Sequence, residues 1–122
     1  MKTILVVEDD RKIAMTVCVR MQSLGYEVVQ AFDAAMAPVQ AEKANPDLVM
    51  LDVSRPGGDG FKIFERLRNL TQTASTPIIF MTESTLPEMR QKAEAMGATA
   101  FLEKPFGAVE LVDAVETVLN PR

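Results

Sequence analysis

Short apolar runs alternate with amphipathic stretches along the whole chain, and the runs fall at Thr3 to Val7, Glu27 to Ala31, Leu48 to Leu51, Ile78 to Met81 and Thr99 to Leu102. Each is too short for a helix and rich in β-branched or large apolar residues, which predicts a strand buried on both faces. Strands of that kind form parallel sheets, because the helices that connect them cover both sides. From Asp10 to Leu24 the residues Ile13, Ala14, Val17, Cys18, Met21 and Leu24 recur at helical spacing, and Gly25 stands where a left-handed C-terminal cap belongs. Asp59 to Leu70 repeats the pattern with Ile63, Phe64 and Leu67, and Phe106 to Leu119 does so with Val109, Val112, Val115 and Leu119. Two further helices are predicted over Ala34 to Ala44 and Pro87 to Met96. In the first, Pro38 occupies a position whose amide should donate inside the helix, so a kink or a late start is expected. The methionines, Met15, Met21, Met50 and Met81 among them, read as core filler by their spacing.

This pattern predicts an α/β fold of five βα units with helices on both faces of the sheet. With 122 residues and no linker, repeat or low-complexity segment, the chain is expected to be one domain over residues 1–122. Asn120-Pro121-Arg122 follows the last helix directly, which leaves no room for an output domain in this chain.

Composition narrows the chemistry more than the fold. There is no histidine and one cysteine, Cys18, which removes histidine acid–base catalysis and zinc sites of the Cys/His type. Any metal must therefore be held by oxygen, and any phosphohistidine that takes part must belong to a partner. The net charge is −4 and no dense Lys/Arg run occurs, so direct nucleic-acid binding is not expected. The opening Met1 to Val7 carries one basic side chain and a very short apolar run cut off by acids. It is neither a signal peptide nor a membrane span, and a cytoplasmic location without membrane insertion is expected.

The acids are placed where such a fold binds ligands. Glu8, Asp9 and Asp10 follow the first strand and Asp52 follows the third, so they gather at the carboxyl edge of the sheet. In the strand order 2-1-3-4-5 the first and third strands are neighbours and flank the topological switch point, which brings Asp9 and Asp52 together. Two carboxylates about 4 Å apart repel by roughly 4 kcal/mol at an effective dielectric near 20, so the cluster must take up a proton or a cation. An oxygen-only site favours Mg²⁺, which keeps several waters and completes its shell with phosphate oxygens. Thr82 ends the fourth strand and Lys104 the fifth, adding a hydroxyl and an ammonium group to the same edge. Asp10 is most simply the N-cap of the first helix.

Taken in order, Ile4-Leu5-Val6-Val7-Glu8-Asp9-Asp10, Leu51-Asp52 with Pro56 and Asp59-Gly60, Phe80-Met81-Thr82, and Lys104-Pro105-Phe106 resemble the receiver domain of two-component response regulators over essentially the whole chain. The resemblance implies a flavodoxin-like (βα)5 fold with strand order 2-1-3-4-5. It implies that Asp52 accepts a phosphoryl group from a histidine kinase or a histidine phosphotransfer protein. It also implies that Asp9 ligates Mg²⁺ directly, Glu8 acts through metal-bound water, and the main-chain carbonyl of Ser54 faces the metal. Lys104 would pair with the phosphoryl oxygens, Thr82 would move to hydrogen-bond them, and Phe101 occupies the position of the switch aromatic. A downstream protein would read the altered face.

Two positions depart from the family pattern. Arg55 stands where an apolar residue is usual and is followed by Gly57-Gly58. Glu83 stands where a small residue is usual, so its carboxylate is placed to repel a phosphoryl donor or to pair with Lys104 at rest. Ser54 and Ser84 lie at variable positions where the lifetime of the phosphorylated state is tuned. Self-association through the last two βα units is compatible with the sequence, although no distinctive feature marks it. Two rival functions use the same residues. One is a receiver-like interaction module that no longer switches. The other is a Mg²⁺-dependent aspartyl-nucleophile phosphohydrolase, disfavoured because Ser54 stands where its second acid would be and little sequence is available for a cap.

Overall fold

A computed structural model describes residues 1–54, 59–83 and 87–121, the side chain of Asp59 apart. The elements run β1 (Thr3–Val7), α1 (Arg11–Ser23), β2 (Glu27–Ala31), α2 (Met36–Ala44), β3 (Leu48–Asp52), α3 (Asp59–Arg68), β4 (Ile78–Thr82), α4 (Pro87–Met96), β5 (Ala100–Glu103) and α5 (Ala108–Leu119). The strands form one parallel sheet in the order β2-β1-β3-β4-β5, as expected. Register sets Val7 beside Leu51 and Asp52 beside Met81, so the ends of β1, β3 and β4 lie along one edge.

Alternation along the strands divides the core. Leu5, Val7, Val49, Leu51, Ile78 and Phe80 point to the side covered by α2, α3 and α4. Ile4, Val6, Leu48, Met50, Ile79 and Met81 point to the side covered by α1 and α5. Phe80 is wholly buried and meets Phe61 and Phe64 edge-on, with ring centroids 5.6 and 5.1 Å apart, the geometry that aligns positive ring edges with negative faces.

Several local expectations hold for identifiable reasons. Asp10 caps α1, accepting from the amides of Lys12 and Ile13 at 2.9 and 3.3 Å. Gly25 has φ +92°, and the amides of Gly25 and Tyr26 close on the carbonyls of Gln22 and Met21 at 3.0 and 3.1 Å, a glycine-terminated C-cap. Helix α2 starts late, at Met36, so Pro38 falls in the first turn, where amides have no intrahelical acceptor.

Other expectations are corrected. The edge strand β2 is largely half-exposed and β5 partly so, and only β3 and β4 are buried throughout. Met15, Leu24 and Val109 are exposed rather than core. Met15 lies one step off the buried face of α1 made by Ala14, Val17, Cys18 and Met21, and Leu24 is already the C-cap. In α5 the buried line is Leu111, Val115 and Leu119, which turns Val109 outward. Strands β3 and β4 each run one residue further than predicted, which makes Asp52 and Thr82 the last residues of their strands. Strand β5 begins at Ala100 and ends at Glu103, so Lys104 follows the strand instead of closing it. Helix α3 ends at Arg68 rather than Leu70. Helix α5 starts at Ala108, because the Glu110 side chain turns back to accept from the Gly107 amide and caps the helix there.

Candidate functional site

The sheet edge forms an acidic cleft of about 330 Å³ walled by Glu8, Asp9, Asp10, Asp52, Ser54, Glu83 and Lys104. Glu8, Asp9 and Asp52 each offer a carboxylate oxygen within 4.8 Å of the others. Glu8 and Asp52 are buried while Asp9 is exposed, so the cluster has a dry floor and a wet rim. Glu8 and Asp9 follow β1 and Asp52 ends the neighbouring β3, and the parallel register of those two strands brings them together.

Lys104 holds the floor. Its ammonium forms an ion pair with Glu8 Oε1 and lies 3.3 Å from Asp52 Oδ1. Burial opposes its charge, but the contacts with Glu8 and Asp52 outweigh that and raise its pKa. This ammonium is engaged by Glu8 and Asp52, so the resting pairing with Glu83 that the sequence raised is not seen; Glu83 sits exposed on the cleft wall. Asp52 Oδ1 also accepts the Ser54 amide at 2.9 Å and the Ser54 hydroxyl at 2.7 Å. Burial pushes Asp52 towards protonation, yet the Ser54 bonds and Lys104 prevail and hold it below its ordinary value.

Glu8 is left in the weaker position. Burial raises its pKa to about 7, helped by the charge of Asp52 and opposed by Lys104 and the Asp10 amide. Oε2 accepts that amide at 3.2 Å, and Oε1 is held by the ion pair with Lys104. Three carboxylates within 4.8 Å of one another share a single buried ammonium, a surplus of negative charge that fits a small divalent cation. The all-oxygen donor set is compatible with hard cations, Mg²⁺ among them.

The remaining predicted residues lie around this floor. Thr82 is buried at the end of β4, opposite Glu103, and its main-chain carbonyl accepts the Lys104 amide at 2.6 Å. Phe101 lies outside the cleft, half-buried on the α4 side, with the Arg90 guanidinium 4.8 Å from its ring centre. Arg55, Pro56, Gly57, Gly58 and Ser84 fall outside the described residues. Two features were missed in the sequence. The Ser54 side chain clasps Asp52, a link that the Asp-x-Ser spacing permits. Gly60 lies so close to the end of β3 that an added Cβ would stand 2.6 Å from Val53 Cα and 2.8 Å from the Asp52 carbonyl oxygen.

A family model described as the response regulator receiver domain matches residues 4–116. The chain belongs to that family. Among known relatives, this receiver domain is 35% identical to the DNA-binding dual master transcriptional regulator RpaA of Synechocystis, over 98% of this chain and 50% of that protein. It is 33% identical to the phosphate regulon transcriptional regulatory protein PhoB of Escherichia coli, over 98% of this chain and 52% of the other. The chain thus spans about half the length of the curated relatives it matches. Among solved structures, the chemotaxis protein CheY4 of Vibrio cholerae superposes with a TM-score of 0.90 at 37% identity, covering 98% of this chain and 99% of that one. The receiver domain of the sensor histidine kinase PA1611 of Pseudomonas aeruginosa superposes with a TM-score of 0.84 at 28% identity, covering 96% of each chain, and holds a magnesium ion in its active site cleft. Receiver domains are phosphoacceptor switches of two-component signalling. Among the described residues no helix is long and apolar enough to cross a membrane.

Proposed function

We propose that Asp52 is the phosphoacceptor of this receiver and takes its phosphoryl group from a phosphohistidine on a histidine kinase or a histidine phosphotransfer protein. The observation that carries this reading is the convergence of the Lys104 ammonium with the buried carboxylates of Asp52 and Glu8 on one cleft. Phosphoryl transfer depends on alignment and on neutralising the charge of the transferred group more than on a strong nucleophile. Ser54 and Lys104 orient Asp52, and Lys104 remains beside it to meet the incoming oxygens.

Asp9, Asp52 and the main-chain carbonyl of Ser54 would hold Mg²⁺, with Glu8 acting through a metal-bound water. The ion would supply the remaining charge neutralisation when bound. The added phosphoryl charge would draw in Thr82 and Lys104, and Phe101 would move with the β4–α4 and β5 segments, so that a downstream protein reads the altered face. In this reading the protein assists its own phosphorylation and dephosphorylation without being a conventional enzyme, and it works in the cytoplasm.

The test is intact mass, under neutral conditions that preserve acyl phosphates, after incubation with Mg²⁺ and either acetyl phosphate or phosphoramidate. One phosphoryl adduct is expected, absent from Asp52→Asn and from a chelated control. An adduct that persists in Asp52→Asn, or none with either donor, would overturn the reading.

A further inference from the structure

The acidic cleft has a neighbour. A second, largely apolar cleft of about 510 Å³ lies against α1, with Ile13, Val17 and Phe106 in its lining, and it shares two walls with the first, Glu83 and Lys104. The ammonium of Lys104 is buried and already taken by Glu8 and Asp52. Glu83 is exposed, so its carboxylate is the charge on the shared wall that faces solvent. Lys12 borders the apolar cleft alone. A group that leaves the acidic cleft towards its neighbour therefore passes the Glu83 carboxylate.

We infer that Glu83 is a specificity-determining residue that selects phosphodonors by the charge of their leaving group, favouring a protonated nitrogen over a departing carboxylate. The inference rests on Asp52 being the acceptor. With an acyl phosphate, a bond forms between an Asp52 oxygen and phosphorus, the bond from phosphorus to the acyl oxygen breaks, and the electron pair leaves on a carboxylate. That anion needs no proton and develops its charge beside Glu83. With a phosphoramidate the phosphorus–nitrogen bond breaks instead, and the nitrogen already carries the proton with which it leaves, so Glu83 attracts it before transfer. The same residue thus slows transfer from one donor and draws the other into the cleft. Like unit charges about 6 Å apart in water-rich surroundings change a rate by about three- to tenfold.

The experiment compares initial phosphorylation rates with acetyl phosphate and phosphoramidate, in Mg²⁺, for the parent, Glu83→Gln and Glu83→Asp. The expected result is an acetyl phosphate rate about three- to tenfold higher in Glu83→Gln, with a phosphoramidate rate unchanged or lower. Glu83→Asp, which keeps the charge, should keep the parent's ratio. The difference should also shrink as salt is added, since the charge is exposed. Equal factors for the two donors, or a Glu83→Asp ratio that follows Glu83→Gln, would overturn the inference, because a steric effect at the wall would act on both donors alike. Asp52→Asn reports on the acceptor alone and the donor ratio on Glu83 alone, so failure of one reading is distinguishable from failure of the other.

Discussion

Replacing Ser54 by alanine removes one of the donors that converge on Asp52 Oδ1. The hydroxyl stands 2.7 Å away, and the Ser54 amide and Lys104 remain at 2.9 and 3.3 Å. A hydrogen bond to a charged group contributes about 1.5–3 kcal/mol, and the two surviving donors place the loss near the lower end, at about 1–2 kcal/mol. Asp52 is almost fully buried, so water cannot readily replace the hydroxyl. Because its folded pKa is depressed, the stabilisation is present above the ordinary value of 3.8 and is lost as pH falls through the folded value. The deficit of Ser54→Ala in urea unfolding should therefore be full at neutral pH and fade in acid. The same bond stabilises the free carboxylate over the phosphorylated form, in which that group has lost its charge. Its removal should shift the balance towards phosphoaspartate by a factor of about 5–30, the equivalent of that free energy. Intact mass at fixed phosphodonor reads this directly. A variant with parental unfolding free energy at pH 7 and a parental phosphorylated fraction would refute the reasoning.

Three other outcomes follow from the geometry. Gly60→Ala should cost about 1–2 kcal/mol in urea unfolding, since backbone atoms 2.6 and 2.8 Å from the new Cβ must shift and overpacking outweighs the gain in helix propensity; a parental urea midpoint would contradict this. Arg68→Met should cost about 1.5–3 kcal/mol, because the guanidinium donates to the Thr73 and Thr76 carbonyls at 3.1 and 2.6 Å while lying 4.9 Å from the Phe64 ring centre, and a loss below about 0.5 kcal/mol would count against those bonds. Tyr26 is the only tyrosine in a chain without tryptophan, and its hydroxyl donates to Glu116 at 2.9 Å and accepts from Asn120 at 3.0 Å. Burial, then Glu116, raises its pKa, so its contribution is full below the ordinary value of 10.0 and is lost as pH rises through the folded one. Tyrosinate absorbance should titrate later in the folded protein than in urea, and coincident midpoints would refute the assignment.

The strands and the gathering of acids were legible in the sequence because period and position along a parallel sheet are properties of the chain itself. The facing of helices was less so. Helix α5 reads Ala-Val-Glu-Leu-Val-Asp-Ala-Val-Glu-Thr-Val-Leu, apolar around much of its circumference, and periodicity cannot choose between the line through Val109 and the line through Leu111. Met15 was misplaced because an apolar side chain next to a buried face looks the same in sequence as one within it. The clasp of Ser54 on Asp52 depends on a rotamer, and the nearness of Gly60 to β3 on how α3 docks, so neither could be read from spacing with confidence of contact. Lys104 was legible as a strand-end cation, but its choice of Glu8 and Asp52 over Glu83 depends on which carboxylates are buried with it.

The cleft unites side chains from residue 8 to residue 104, gathered from the ends of four strands, β1, β3, β4 and β5. No fragment of the chain carries the site, and folding must press Glu8 and Asp52 together against their mutual repulsion. A cation that binds only this assembled arrangement therefore binds the native state and not the unfolded chain. By mass action its binding adds about 2.7 kcal/mol to stability when present at a hundred times its dissociation constant. The site is in this sense a sensor of its own architecture, and the ion that prepares it for chemistry would also reward the completed sheet.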